Sequence, residues 1–401
     1  MNEARPAILC ISTYEKGQAF LREAANMGVE VTLLTVQKLH NADWPRDSIA
    51  HFVTMPENLS PDQVLHYINR IVREHRIDWI VPLDEFDLES AALAREHLRL
   101  PGLGQTPTRL FRDKLAMRQA AHDAGVPVPE FTGVFNVQQI HSYFRETSGP
   151  WLLKPRTSAS AIGIVRIDSE EKLWRTLDEL GDEQTNYVLE RFVPGDIFHC
   201  EGITVGGEVV FAAPFRYAQP PIDTMHSGGV FSTRALAPDN PDAIAVRILH
   251  RHVLQSLGMQ NGVSHTEFIR SRADGSFLFL ETAARVGGAY IAEVVEFAYG
   301  VNPWVEWARI VCAPLLGRTY QLPPLHTDAA GSVICLARQE QPDLSTYTDP
   351  EIVYRLHKSH HAGLIVRSSS HEQVEHILDR HTARFLNDFI AVLPAPDKPT
   401  S

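Results

Sequence analysis

Two acids and an arginine make the most chemically loaded stretch of this chain. Thr266-Glu267-Phe268-Ile269-Arg270 and Phe277-Leu278-Phe279-Leu280-Glu281 are apolar runs that each carry one carboxylate. Asp274-Gly275 lies between them, a strong hairpin signal, so on an antiparallel pair both acids could point to one face. An ionised acid among apolar neighbours is paired, protonated or bound to a metal. Beyond Glu281 come Arg285 and the turn Gly287-Gly288. Two hard carboxylate oxygens, a guanidinium and glycine-turn amides would suit Mg²⁺ and phosphate oxygens. The same residues also read as edge acids salt-bridged to Arg270 or Arg285, and this stretch alone does not choose between the two.

Further groups are spread upstream. Arg112-Asp113-Lys114 opens a helix with Lys114 in its first turn, where a cation opposes the helix dipole unless it holds an anion. Trp151 to Lys154 reads as a strand ending in lysine. It is followed by the small-residue loop Arg156-Thr157-Ser158-Ala159-Ser160-Ala161, whose amides could approach a phosphate closely, although an ordinary hairpin loop has similar composition. Tyr187 to Asp196 reads as strand, hinge and turn. The acids of Asp84-Glu85-Phe86-Asp87 lie past a strand's carboxyl end, where parallel sheets bind ligands, but read more simply as a helix N-cap with first-turn acids.

The elements that must position these groups fall into blocks. Residues 1 to 100 alternate strand and helix, which predicts a parallel sheet with helices on its faces. No GxGxxG follows the first strand, and neither a Walker A sequence nor a kinase catalytic loop occurs. Pro101-Gly102-Leu103-Gly104 marks the first boundary. Hairpins around Gly206-Gly207 and Asp274-Gly275 flank a helix over 241–257. A helix from residue 302, strands over 331–337 and 363–366, and a helix over 372–386 follow.

At 401 residues the chain has room for two or three domains, and 44% hydrophobic with 21% charged residues is ordinary for a soluble globular protein. A net charge of −12 without a basic block argues against non-specific nucleic-acid binding. The four cysteines are scattered without a CxxC pair, the first apolar run is too short for a signal peptide, and no window reaches the length of a membrane span. A cytoplasmic location is the expectation.

In order, Arg112-Asp113-Lys114, Lys154-Pro-Arg with its loop, Glu190-Arg-Phe-Val-Pro-Gly-Asp196, Glu267, and Glu281-x-x-x-Arg285-x-Gly287-Gly288 resemble the ATP-grasp superfamily. Within it they look most like carboxylate–amine ligases of the L-amino-acid ligase type, over residues 1–310. The resemblance implies an α/β (α+β) fold. A Rossmann-like parallel α/β domain would span 1–111, a small lid subdomain 112–188, a large subdomain 189–310, and a C-terminal α+β extension packed on the large subdomain 311–401. It implies ATP and Mg²⁺ as cofactors, small carboxylate and amine substrates, neither nucleic acid nor membrane as partner, and a homodimer.

Site roles follow by position. Lys114 and Lys154 would contact phosphates, with Ser158 and Ser160 in the closing loop. Glu190 would accept from the adenine amino group, Phe192 and Val193 would present hinge backbone to the ring, and Asp196 would hold the ribose. Glu267 and Glu281 would hold Mg²⁺, and Arg285 with Gly287 and Gly288 would bind the substrate carboxylate and its acyl phosphate. His199 and Tyr217 are expected near the substrate, and His199 and His265 are candidate bases. Where many relatives place an Asn metal ligand this chain has Ala283, which thins the metal shell. The function implied is amide or peptide bond formation through an acyl phosphate. A bicarbonate-activating or purine-pathway enzyme and a non-catalytic nucleotide-binding module are the alternatives.

Overall fold

The computed structural model describes residues 5–159, 162–221 and 229–391. Three sheets organise it. The first contains β1 (Ala7–Ser12), β2 (Glu30–Val36), β3 (His51–Met55) and β4 (Trp79–Pro82), all parallel in the order β3-β2-β1-β4. Its central strands AILCIS and EVTLLTV are buried almost end to end, as strands covered on both faces must be. Helix α1 (Gln18–Asn26) joins β1 to β2, α2 (Pro61–Glu74) joins β3 to β4, and α3 (Leu88–Leu98) follows β4. The expected alternation of strand and helix is present, with β3 as a half-buried edge strand that was not expected from the sequence.

Two short helices, α4 (Gln105–Arg109) and α5 (Lys114–Asp123), lead into a second, four-stranded sheet. It is built from β5 (Phe131–Gly133), β6 (Trp151–Pro155), β7 (Val165–Ile167) and β8 (Tyr187–Arg191) in the order β5-β8-β6-β7, with α6 (Val137–Glu146) and α7 (Glu170–Leu180) against it. This small unit has its own core of Val134, Ile140, Trp151, Leu153, Leu173 and Leu189. Strand β8 runs on to Arg191 and pairs with β5 and β6, so the sheet continues past residue 188, where the lid was expected to end.

The third sheet has eight strands in the order β13-β12-β9-β10-β11-β14-β16-β15. They are β9 (Gly195–Val205), β10 (Glu208–Tyr217), β11 (Phe231–Ala235), β12 (Gly262–Ser271), β13 (Phe277–Ala283), β14 (Ala329–Leu336), β15 (Ile352–Arg355) and β16 (His361–Ser368). Helices α8 (Pro241–Ser256), α9 (Ile291–Tyr299), α10 (Pro303–Leu315) and α11 (His371–Asp388) cover it. The C-terminal strands β14, β16 and β15 prolong this sheet through the β11–β14 pairing, so the extension is continuous with the large subdomain rather than a separate layer laid on it. The first domain docks on the large one through a shared apolar core, with Phe20 of α1 edge-on to Trp307 of α10 at 5.5 Å. No described helix is long and apolar enough to cross a membrane.

Candidate active site

Strands β12 and β13 place the two acids. They pair antiparallel with Glu267 opposite Glu281, and the register slips by one residue immediately beyond, a bulge of the kind that re-aims side chains. Helix α5 lies over β13, tied to it by the Thr282 amide donating to Met117 Sδ at 3.2 Å. Asp113 caps α5 by accepting from the amides of Leu115 and Ala116. Lys114 therefore stands over Glu281: its Nζ is 2.8 Å from Glu281 Oε2 and donates to the Ser158 carbonyl at 2.6 Å.

Lys114, Glu281, Met117, Ser158 and Thr282 line one small polar crevice of about 20 Å³ together with Glu85, Arg112, His265 and Arg285, and Glu267 adjoins it through His265. Arg285 donates to Glu85 Oε1 at 2.7 Å and to the Val286 carbonyl at 3.0 Å, while its buried Nε has no partner among the described residues. Burial would raise the Glu85 pKa, but Arg285, by charge and hydrogen bond, then Arg112 and Lys114, hold it down to about 2. Glu85 was not among the expected site residues. Its position past the carboxyl end of β4 was the one available signal. Its neighbour Asp84 does cap the following turn, accepting from Phe86 N at 3.1 Å.

Lys154 lies apart from this crevice. It ends β6 and is ion-paired to Glu190 on β8, which also takes Arg118 Nε at 3.1 Å. Glu190 is fully buried; burial would raise its pKa, and Arg118 followed by Lys154 hold it at about 2. Both of its oxygens are engaged here, so it could accept from an adenine amino group only after one of these cations moved away. It is the counter-ion of two cations. At the hinge, the Phe192 amide is taken by the Pro150 carbonyl at 2.9 Å, whereas none of the described groups takes up the Val193 amide. Asp196 is partly exposed and paired with Arg216 at 2.9 Å and Arg272 at 3.3 Å. Ser160 lies outside the described residues.

The expectation that His199 and Tyr217 face substrate is corrected by burial. His199 has no exposed surface; its Nδ1 meets Glu201 Oε1 at 2.7 Å and its Nε2 meets Thr233 Oγ1 at 2.7 Å. Tyr217 stacks on it at 4.5 Å and donates to Glu267 Oε1 at 3.0 Å. Across from them, His265 Nδ1 is 2.6 Å from Glu201 Oε1 and its Nε2 is 3.5 Å from Glu267 Oε1. Burial alone would lower the His265 pKa, but Glu201 and then Glu267 lift it to about 10. His199, Glu201 and His265 have the donor types of a metal centre. Their separations of 2.6 and 2.7 Å are hydrogen bonds, shorter than the ~3.3 Å edge of a tetrahedral zinc shell with ~2.0 Å bonds.

Gly287 sits directly on this cluster. A Cβ there would be 2.9 Å from Glu201 Oε2 and 3.1 Å from His265 Nδ1, whereas Gly288 has open space. Ala289 and Tyr290 then adopt left-handed φ values of 50° and 57° before α9 begins. Two consecutive non-glycine residues held in that region are strain of the kind that collects at functional loops.

The carboxylates fit a divalent cation. Glu267 has Tyr217 and His265 on one oxygen, and Glu281 has Lys114 on one oxygen; no described side chain occupies the other oxygen of either. The crevice as it stands is too small for a triphosphate, so a nucleotide would have to part Lys114 from the Ser158 loop and take over the lysines now paired with Glu281 and Glu190.

No family model matches the chain. It is 25% identical over 240 residues to the L-arginine-specific L-amino acid ligase of Bacillus subtilis, covering 58% of this chain and 57% of that protein. It spans less than two thirds of the length of the curated relatives it first matches. In structure it is similar to an L-amino acid ligase from Bacillus licheniformis, with a TM-score of 0.75, 20% identity, and 98% and 100% of the two chains covered. It is also similar to N5-carboxyaminoimidazole synthetase from Staphylococcus aureus complexed with ADP, with a TM-score of 0.71, 17% identity, and 96% and 99% covered.

Proposed function

We propose that this chain, which folds as a member of the ATP-grasp superfamily, is an ATP-dependent carboxylate–amine ligase acting on amino acids or similar small molecules. The observation that carries the reading is the convergence of Glu281, Lys114 and Arg285 on one crevice, with Glu267 beside it as the register partner of Glu281. The similarity to an L-amino acid ligase supports the amino-acid substrate class over bicarbonate.

A carboxylate resists attack by an amine because it is anionic and oxide is a poor leaving group. Phosphorylation removes both obstacles: a carboxylate oxygen attacks the γ-phosphorus of ATP, ADP leaves, and the acyl phosphate reacts with the amine to give amide and phosphate. Such transfers depend mainly on positioning and charge neutralisation. Glu267 and Glu281 would hold Mg²⁺, which supplies neutralisation of the phosphate oxygens. Lys114 would exchange Glu281 for a phosphate oxygen, and Lys154 would exchange Glu190. The Val193 amide, which no described group takes up, would bond the adenine edge, and Asp196 the ribose. Arg285 would give up Glu85 to clasp the substrate carboxylate, leaving Glu85 able to pair with an ammonium group. The lid's separate core lets it open and close as a unit, and closure would exclude water that hydrolyses an acyl phosphate.

Phosphate release measured over single amino acids and pairs, with and without bicarbonate, tests the reading. The ligase releases phosphate only with a suitable acid and amine together. Release that follows bicarbonate and ignores amino acids contradicts it, as does nucleotide binding without release under every mixture.

A further inference from the structure

The two partners of Glu267 occupy the same oxygen. Tyr217 donates to Oε1 at 3.0 Å from β10, and His265 Nε2 approaches Oε1 at 3.5 Å from β12 itself. The second contact is long for a hydrogen bond and close enough for an ion pair. Neither partner is free to wander. Tyr217 is stacked on His199 at 4.5 Å, and His265 is fixed through Nδ1 to Glu201, which is held in turn by His199, itself bonded to Thr233. Gly287 closes over Glu201 and His265 with no room for a methyl group. The result is a buried chain, Thr233–His199–Glu201–His265–Glu267–Tyr217, that ends on one oxygen of one carboxylate.

We propose that His265 and Tyr217 are positioning residues that jointly fix the plane of the Glu267 carboxylate, directing its remaining oxygen to the metal that Glu267 and Glu281 would share, with Glu201 holding His265 in place. The proposal rests on the ligase reading, since it takes Glu267 as a metal ligand. Groups that orient a ligating side chain in this way change metal affinity by about 10- to 100-fold when removed. The arrangement bears on Ala283 too: with one protein ligand fewer than many relatives, the geometry of Glu267 carries a larger share of the metal's placement.

The test uses Mn²⁺ as the probe, titrated by electron paramagnetic resonance against the full-length protein with a non-hydrolysable ATP analogue, beside metal-free analogue binding and a thermal melt. His265→Gln can place an amide N–H near the Nε2 position and still reach Glu267. His265→Asn can replace only Nδ1 and reaches Glu201 alone. The expected result is Mn²⁺ affinity about 10- to 100-fold weaker in His265→Asn, restored most of the way in His265→Gln, with metal-free analogue binding alike in both. Equal Mn²⁺ affinity in wild type and both variants overturns the proposal, and so does rescue by Asn but not by Gln, which would make His265 a support for Glu201 only. If neither His265 variant folds, Tyr217→Phe decides, because it removes one hydroxyl from a buried ring. Weakened Mn²⁺ binding there supports the proposal, and unchanged binding overturns it. A wild-type protein that binds neither Mn²⁺ nor the analogue would instead sink the ligase reading itself, which is a distinct outcome.

Discussion

Glu267 and Glu281 are register partners across β12 and β13, each with one carboxylate oxygen held by the protein and the other clear of any described side chain. Like charges directly opposite on a sheet destabilise it, and here His265 lies against one carboxylate and Lys114 against the other. A cation between the two carboxylates would complete that balance.

Replacing Glu281 by Gln should therefore act on chemistry more than on fold. The variant loses an anionic oxygen donor and keeps the size and hydrogen-bonding capacity of the side chain. Turnover should fall about a thousandfold or more, the scale of several kcal/mol that metal charge neutralisation supplies, and the Mg²⁺ concentration for half-maximal rate should rise. Steady-state kinetics against Mg²⁺ concentration checks both.

Arg285→Ala removes the guanidinium that Glu85 now holds at 2.7 Å. Activity should drop by about two orders of magnitude or more, as with loss of one oxyanion donor. Arg285→Lys should recover little of it, since an ammonium lacks the planar fork. Near-normal kcat in the alanine variant would remove Arg285 from the mechanism.

Gly287→Ala tests the close approach of the loop. The added methyl meets Glu201 and His265, and Glu201 cannot swing aside because two histidines hold it. A stability loss of about 1–3 kcal/mol is expected from overpacking, seen as a lower melting temperature, together with lost activity. Gly288→Ala, facing open space, should melt near wild type.

Acid stability should report on Glu190. Its folded pKa, held at about 2 by Arg118 and Lys154, lies below that of the unfolded chain, near 4.5. The stabilisation is present above the unfolded value and is lost as pH falls from about 4.5 towards 2, where the folded state must also take up the proton. Across that window it amounts to about 3 kcal/mol. Glu190→Gln should be less stable at pH 7, with a shallower decline below pH 5, in denaturant melts followed by circular dichroism. An unchanged acid limb would mean that the ion pairs contribute nothing net.

Much of this architecture was legible because its signals are local. The first domain declared itself by alternating β-branched strands with helices, and the acidic hairpin by Asp274-Gly275 between apolar runs. Helices α6, α7 and α9 were missed. The first two are short and largely polar outside the lid core, and α9 begins behind two left-handed residues rather than a capping side chain. Glu85 was read as part of a helix cap because only the tertiary fold brings Arg285 to it across 200 residues of sequence. Tyr217 was placed at the substrate from where similar enzymes have their pockets, and His199 as a candidate base near the site. Strand pairing sets His199 opposite Glu267, on the face of the acids, but the rings of Phe215 and Tyr217 stack on it and both His199 and Tyr217 are buried, which no local signal announces.

The central claim is that a carboxylate oxygen attacks the γ-phosphorus of ATP on this crevice, and oxygen tracing tests it most directly. With an amino acid labelled with ¹⁸O in its carboxylate, an amine partner, ATP and Mg²⁺, the phosphate released should carry one ¹⁸O atom per turnover, alongside ADP and the amide. Unlabelled phosphate, or release of AMP with label in its phosphate, would contradict the account.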